Sequence, residues 1–478
     1  MGRVPGALPR GGEINRLRFE AEQIDFTPEG WEAKNIQITN DPFSPPELVL
    51  KADKATLTRL SPLRDEVRAT RPRLVFDQRV SIPLLISRTV LDRRERQPPL
   101  VQFGFDNEDR GGLFVERDFE LIRSDKVRFR LTPQIYLQRM VFETKDVTDP
   151  DNFGAKARLD VQVTPTTSVR AAAKLTTFDT EKFLDNLRAS IRATQRIDTP
   201  VGPHRLAFEY SYRDRLFNGS LGFQTVQSSL GFIFVSPDVV LGNTGLTLNY
   251  QAGYSDINAN TDRLDLLGPN PEDSRVTLGR FQASAALNRN FTLWEGKPLP
   301  ATRNEGLKYT ANPVIPYLLI STSVRGVFSS YTSDDTQKDF IGTVGLYGQF
   351  GHFSRPFFDY TAFSVLYQQT LGGGSSPFFF DRTVDNRVLS LSLFQQIYGP
   401  FRFGVQTSFN LDTRESISTD YFLEYSRRTH GIIVRYNPVL EIGSISFRIS
   451  DFNWTGGTEP FAGSDVIPVE GGVRRTSD

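Results

Sequence analysis

Leu187-Arg188-Ala189-Ser190-Ile191-Arg192-Ala193-Thr194 alternates apolar and polar residues without interruption. Successive side chains of a strand point to opposite faces, so this segment has one greasy and one wet face. No helical 3.6 period competes over it. The pattern continues on both sides. Ala157, Leu159, Val161 and Val163 alternate with Arg158, Asp160, Gln162 and Thr164, and Val169 to Thr176 repeats it. Leu206, Phe208, Tyr210 and Tyr212 stand against Ala207, Glu209, Ser211 and Arg213. Phe401, Phe403, Val405, Thr407 and Phe409 stand against Arg402, Gly404, Gln406, Ser408 and Asn410.

One such strand fits any half-buried sheet. Its recurrence from about residue 158 onward fits much less. A soluble sandwich of this size would need fully buried strands and clear domain breaks. The wet faces also carry many Arg, Lys, Asp and Glu residues, which suits a hydrated lumen. Gly242-Asn243-Thr244-Gly245, Gly372 to Ser376 and Asp412-Thr413-Arg414 supply turns, while Asn258 to Ser274 and Glu295 to Asn312 read as longer loops. The sequence therefore predicts an all-β chain: a transmembrane antiparallel β-barrel of roughly 18 to 22 strands.

Composition agrees. Lys plus Arg and Asp plus Glu are each 56 in 478 residues, so no net charge argues for a nucleic-acid partner. Apolar residues are only 38%, yet aromatics reach 12%, as expected of strands apolar on one face. The absence of cysteine rules out disulfides, thiolate metal sites and Cys nucleophiles. No apolar run approaches the roughly 18 residues of a helical span, which a barrel does not require. Met1 to Arg10 lacks an apolar h-region, so a secretory signal is expected to have been cleaved or to lie elsewhere.

The first hundred residues read differently. Leu17 to Ala21, Ala33 to Thr39, Glu47 to Ala52 and Arg73 to Asp77 are short strands, with Pro42, Pro45 and Pro46 breaking the chain between two of them. The expected organisation is a disordered leader (1–12), a small soluble β jelly roll (13–98), a barrel (99–455) and a flexible tail (456–478) that is Gly-, Pro- and charge-rich.

Glu20-Ala21-Glu22-Gln23-Ile24-Asp25-Phe26, Gly30 to Thr39 and Leu48 to Ala55 resemble the OstA-type repeat. Ile82-Pro83-Leu84 and Asn107 to Phe114 resemble the junction into the barrel of lipopolysaccharide-assembly outer-membrane proteins (the LptD/OstA type). The whole chain resembles their cyanobacterial-type branch, with a short jelly roll before the barrel. The resemblance implies an outer-membrane translocon with its N-terminal domain in the periplasm. Its partners would be lipopolysaccharide or a related glycolipid, outer-membrane lipids and a periplasmic jelly-roll bridge protein. The acyl chains would follow the jelly-roll groove and a lateral seam between the first and last strands, and the glycan would follow the lumen. The missing cysteines and short length depart from the proteobacterial pattern and leave a plug lipoprotein open.

The candidate groove residues are Leu17, Phe19, Ile36, Ile38, Leu48, Leu50, Leu74 and Phe76, which would be plain core in a closed sandwich. The candidate seam residues are Phe129, Pro133, Pro165 and Phe447. Proline cannot donate to a ladder, so Pro133 and Pro165 mark strand ends, bulges or a weak seam. The last strand is expected at Gly443 to Trp454, pairing near Gly112 to Ile122 or Val127 to Leu137. Phe357-Phe358 with Tyr360, Phe378 to Phe380 and Tyr421-Phe422 are expected in interfacial girdles. His204, His352 and His430 match no metal spacing, and neither a phosphate loop nor Gly-x-Ser-x-Gly occurs. No catalytic residue, metal or cofactor is expected, and the protein is not expected to be an enzyme. A passive porin is the alternative, since it shares the barrel but has no need of the jelly roll.

Overall fold

The computed structural model describes residues 18–39, 41–61, 64–84, 87–92, 102–269, 273–449, 467–470 and 472–474. It is all-β, with a closed antiparallel barrel of 18 strands. Among the described residues no helix is long and apolar enough to cross a membrane. The alternation sets the wall as anticipated. Phe208 is 56% exposed on the outside, whereas Ser211, beyond the intervening outward Tyr210, is 1% exposed and turned inward. Phe232, Phe281, Phe340, Leu393 and Phe403 continue the apolar exterior. With every strand paired on both sides, the wall leaves few unsatisfied backbone groups facing lipid.

Barrel closure differs from the expectation. The first strand is Gln102–Asp106, upstream of both segments proposed for it, and it pairs with Ile442–Ile449. Asp106 caps a helical turn, Asn107–Arg110, by accepting from the Asp109 backbone N–H, and Gly111 follows at φ 64°. That left-handed position folds Gly112–Glu116 back onto the first strand. A five-residue strand with a glycine at its centre carries too little alternation to announce itself.

The N-terminal unit is one eight-stranded sheet. Asn35, at φ 48°, interrupts the pairing of Gly30–Thr39 with Leu48–Ser61. Beyond that irregularity Phe19 pairs with Ile38, Ile38 with Leu50, Leu50 with Leu74, and Leu74 with Ile82. Five apolar side chains thus form one row across five strands. Ala33, Ile36, Ala52 and Ala55 pack beside it.

The sheet sits against one end of the barrel. Arg428, in the turn between Glu415–Ser426 and His430–Asn437, is 5% exposed and holds Asp41 at 2.7 Å and Glu47 at 2.8 Å. Arg427 reaches Glu47 and Asp77, both at 2.9 Å. Burial raises the Glu47 carboxyl above its ordinary range, and the two arginines only partly offset it. At the same end Arg303 donates to the Ser44 carbonyl at 2.7 Å.

The opposite end is filled from within. Arg213, at φ 55°, kinks the strand Gly202–Phe217, and beyond it Arg215, Leu216 and Phe217 are all buried. A wall strand buries one face against the lumen contents; this tip buries both. Phe217 packs with Ile417, Leu440 and Ile442, while Leu216 packs with Phe378, Phe380 and Val469. The aromatic run Phe378 to Phe380 therefore lies in the lumen and not in a girdle, and Tyr360 and Phe422 are also buried inside. Phe357, Phe358 and Tyr421 remain exposed. The tail departs from the expected flexible segment too: Ile467–Glu470 pairs parallel with the kinked tip, at Leu216 and Phe217.

Candidate functional site: the seam and the apolar face beneath it

Among the described residues the closing pair of strands is one of the shortest interfaces in the wall, one pair shorter than Gln102–Asp106 with Gly112–Glu116 on the other edge of the first strand. Ile442 to Ile445 face Asp106 to Phe103, giving four residue pairs. The next interface, His430–Asn437 with Ile442–Ile449, has eight, and Arg275–Glu295 with Tyr317–Tyr331 has fifteen. Each antiparallel pair averages about one backbone hydrogen bond, and Asn107 N–H adds one to the Glu441 carbonyl at 3.1 Å, so the described seam is held by about five. Among the described residues, Ser446 to Ile449 have no partner on the first-strand side.

The apolar row of the N-terminal sheet leads to that unpaired stretch. Leu48 pairs with Phe76, and Phe76 with Val80, in the row next to Leu50–Leu74–Ile82. The Phe76 ring meets Phe447 edge-on at 5.6 Å and His430 at 5.1 Å. Phe447 shares the outward parity of Ile445, which is exposed on the outer wall. Phe19, Val80 and Ile82 stay about half-exposed, so this part of the apolar face is uncovered, whereas Ile36 and Leu48 on the same face are buried.

Seven of the eight anticipated groove residues share this face; Leu17 lies outside the described residues. Of the four anticipated seam residues only Phe447 is on a closing strand. Phe129 pairs with Leu159 and Pro133 with Ala155, two strands away from the first. On its other side Pro133 faces the break between Gly112–Glu116 and Phe119–Arg123, where a missing N–H costs nothing. Pro165 lies in the turn closed by Val163 N–H to the Thr167 carbonyl at 2.9 Å. Phe452 and Trp454 lie outside the described residues.

The other end of the first strand carries a latch that the sequence reading missed. Asp109, in the turn after it, receives Lys174 at 3.0 Å, Arg215 at 3.1 Å, and Arg188. Burial opposes ionisation there, but the three cations outweigh it and hold the carboxyl well below its ordinary range. Arg215 also binds Glu108. The turn is thereby tied to strands that are not its sheet neighbours. Only the Glu108-Asp109-Arg110 charge run hinted at it, and such runs are ordinarily solvated.

The histidines are structural in their surroundings: His204 bonds Tyr250 at 2.7 Å and His352 the Lys297 carbonyl at 3.1 Å. Among the described residues no cluster of His, Asp or Glu could hold a metal.

An 18-strand barrel with an apolar exterior fits an outer-membrane protein. No curated protein matches the chain. The model of one family, described as protein of unknown function (DUF3769), matches residues 11–453, taking in the N-terminal sheet, the seam and the last barrel strand, and the chain belongs to that family.

Proposed function

We propose that this protein is an outer-membrane translocon that inserts lipopolysaccharide or a related glycolipid into the outer leaflet. One observation carries the reading. An apolar row, Phe19–Ile38–Leu50–Leu74–Ile82, about half-exposed at its two ends and partly buried between them, runs beside Phe76, and Phe76 touches Phe447 where, among the described residues, the last strand has no partner. Acyl chains carried on the row would reach the lipid-facing side of the seam without crossing water. The glycan would stay on the polar side of the wall. In this orientation the sheet is periplasmic and receives lipid from a jelly-roll bridge protein. The work is conduction: nothing in it calls for a bond to be made or broken.

A photo-reactive residue at Leu50 or Leu74, introduced in cells, should capture lipopolysaccharide, while one at Val49 on the opposite face should not. Equal labelling at both faces would refute the groove. A passive porin remains the competing use of the same barrel, and rapid swelling of liposomes in small sugars would favour it.

A further inference from the structure

The lumen-facing residues at the far end bind a part of the chain that is not wall. Gly472 presents its carbonyl to the Gln282 Nε2 at 2.7 Å, and the same nitrogen donates to Ser329 Oγ at 3.0 Å. Both side chains point inward, since neighbouring Phe281 and Phe328 are exposed on the outer wall. Val473 packs with Val327 and Ile341, and Val469 joins Leu216, Val226, Ile257, Phe378 and Phe380. Val469–Arg474 and Glu470–Val473 pair as a small hairpin, with Gly472 at φ 75° in its turn. A Cβ at Gly472 would come within 2.9 Å of Gln337 Nε2 and 3.0 Å of the Asp381 carbonyl, so the fit leaves no slack.

Two further segments close around this hairpin. The loop between Tyr360–Gly374 and Arg387–Tyr398 is pinned by Asp381, which is fully buried and takes Arg280 at 2.6 Å and the Tyr331 hydroxyl at 3.0 Å. Asn218, at the kinked tip, donates to the Phe379 carbonyl at 2.7 Å and the Arg382 carbonyl at 2.9 Å. The tip's other face reaches Ile417, Leu440 and Ile442 on the far wall. Together tip, loop and hairpin span the lumen from the Arg275–Glu295 side to the seam side. Protein interiors packed in this way exclude water and solutes.

We infer that the described tail residues, 467–470 and 472–474, are a resident plug: the chain seals the far end of its own barrel, so the pore is closed to small solutes and that part of the lumen is not available to a separate plug subunit. This inference rests on the packing of the lumen and stands whether or not the cargo is a lipid.

The test is conductance in planar bilayers on the full-length barrel and four variants, each first checked for heat-modifiable migration as a folded barrel. The full-length protein should be silent. A truncation ending at residue 455, and Gly472→Val in the full chain, should each open current bursts at least about ten-fold more often. Val469→Asp with Val473→Asp should do the same. A cysteine pair at Val473 and Val327 should remain silent when oxidised. Porin-like conductance from the full-length protein would overturn the inference. So would a folded truncation and a folded Gly472→Val variant that stay as silent as the parent.

Discussion

Cysteines at Phe103 and Ile445, which face each other across the seam with outward parity, would lock the barrel shut. Directly opposed residues of an antiparallel pair lie about 4.5–5.5 Å apart at Cα, within the range a disulfide spans. The magnitude follows from the register. Among the described residues four pairs hold the seam, with the Asn107 N–H to Glu441 carbonyl bond beyond them, and about five hydrogen bonds at roughly 0.5–1.5 kcal/mol each give about 2.5–7.5 kcal/mol to part it. The fifteen-pair interface between Arg275–Glu295 and Tyr317–Tyr331 would cost about 8–22 kcal/mol on the same scale. The long interface cannot open at a useful rate, whereas among the described residues the first strand is weakly held on both edges, its other edge against Gly112–Glu116 having five pairs. A second pair, Phe129→Cys with Leu159→Cys, spans an ordinary nine-pair interface and serves as control. Oxidation of the seam pair in cells should stop the appearance of new lipopolysaccharide at the surface, and dithiothreitol should restore it; the control pair should be silent. If the oxidised seam variant exports at the parental rate, lateral opening is wrong and the porin reading moves ahead.

Arg replacing Phe208 on the outer wall should destabilise the folded barrel by about 2–4 kcal/mol in denaturant titrations, whereas Gln406→Arg on the inward face should cost less than about 0.5 kcal/mol. Equal losses would invert the assignment of faces. Arg428→Ala strips the buried partner from Asp41 and Glu47 and should cost about 3–5 kcal/mol of docking, seen as roughly 150- to 5,000-fold faster amide exchange in Leu48–Ser61. Burial already raises the Glu47 carboxyl, so the docked form favours its proton; docking weakens as pH rises through and above the ordinary carboxylate range, and the variant should recover protection as pH falls. A loss independent of pH would show that the two carboxylates are not what Arg428 compensates.

The two faces of the wall were legible because long runs such as Leu187 to Thr194 permit one reading only, and a strand period of two leaves no freedom in side-chain direction. The apolar row of the N-terminal sheet was legible for the same reason, although not its meeting with Phe447, which joins positions some 370 residues apart in sequence. The seam partner was missed because Gln102-Phe103-Gly104-Phe105 is too short to compete with the stronger alternation of Val127 to Ile135. Phe378 to Phe380 misled through composition: aromatics on a loop suit an interface and a filled lumen equally well, and only Asp381 beside them, needing buried partners, marked the difference. The tail misled in the same way. Its glycines and charges read as disorder, while Ile467, Val469 and Val473 carried a short apolar signal.

The C-terminal hairpin also bears on the order of events in biogenesis. Its docking partners, Leu216, Gln282, Val327, Ile341 and Phe378, come from strands and a loop spread over much of the barrel, and no two neighbouring strands supply them all. The hairpin has nowhere to settle until those strands have been assembled around a common interior. Its insertion is therefore a late event, slow for the same reason that other long-range contacts are slow. A chain stalled with part of its wall missing would leave Val469 and Val473 in the open, a mark by which a quality-control protease could tell the unfinished molecule from the finished one.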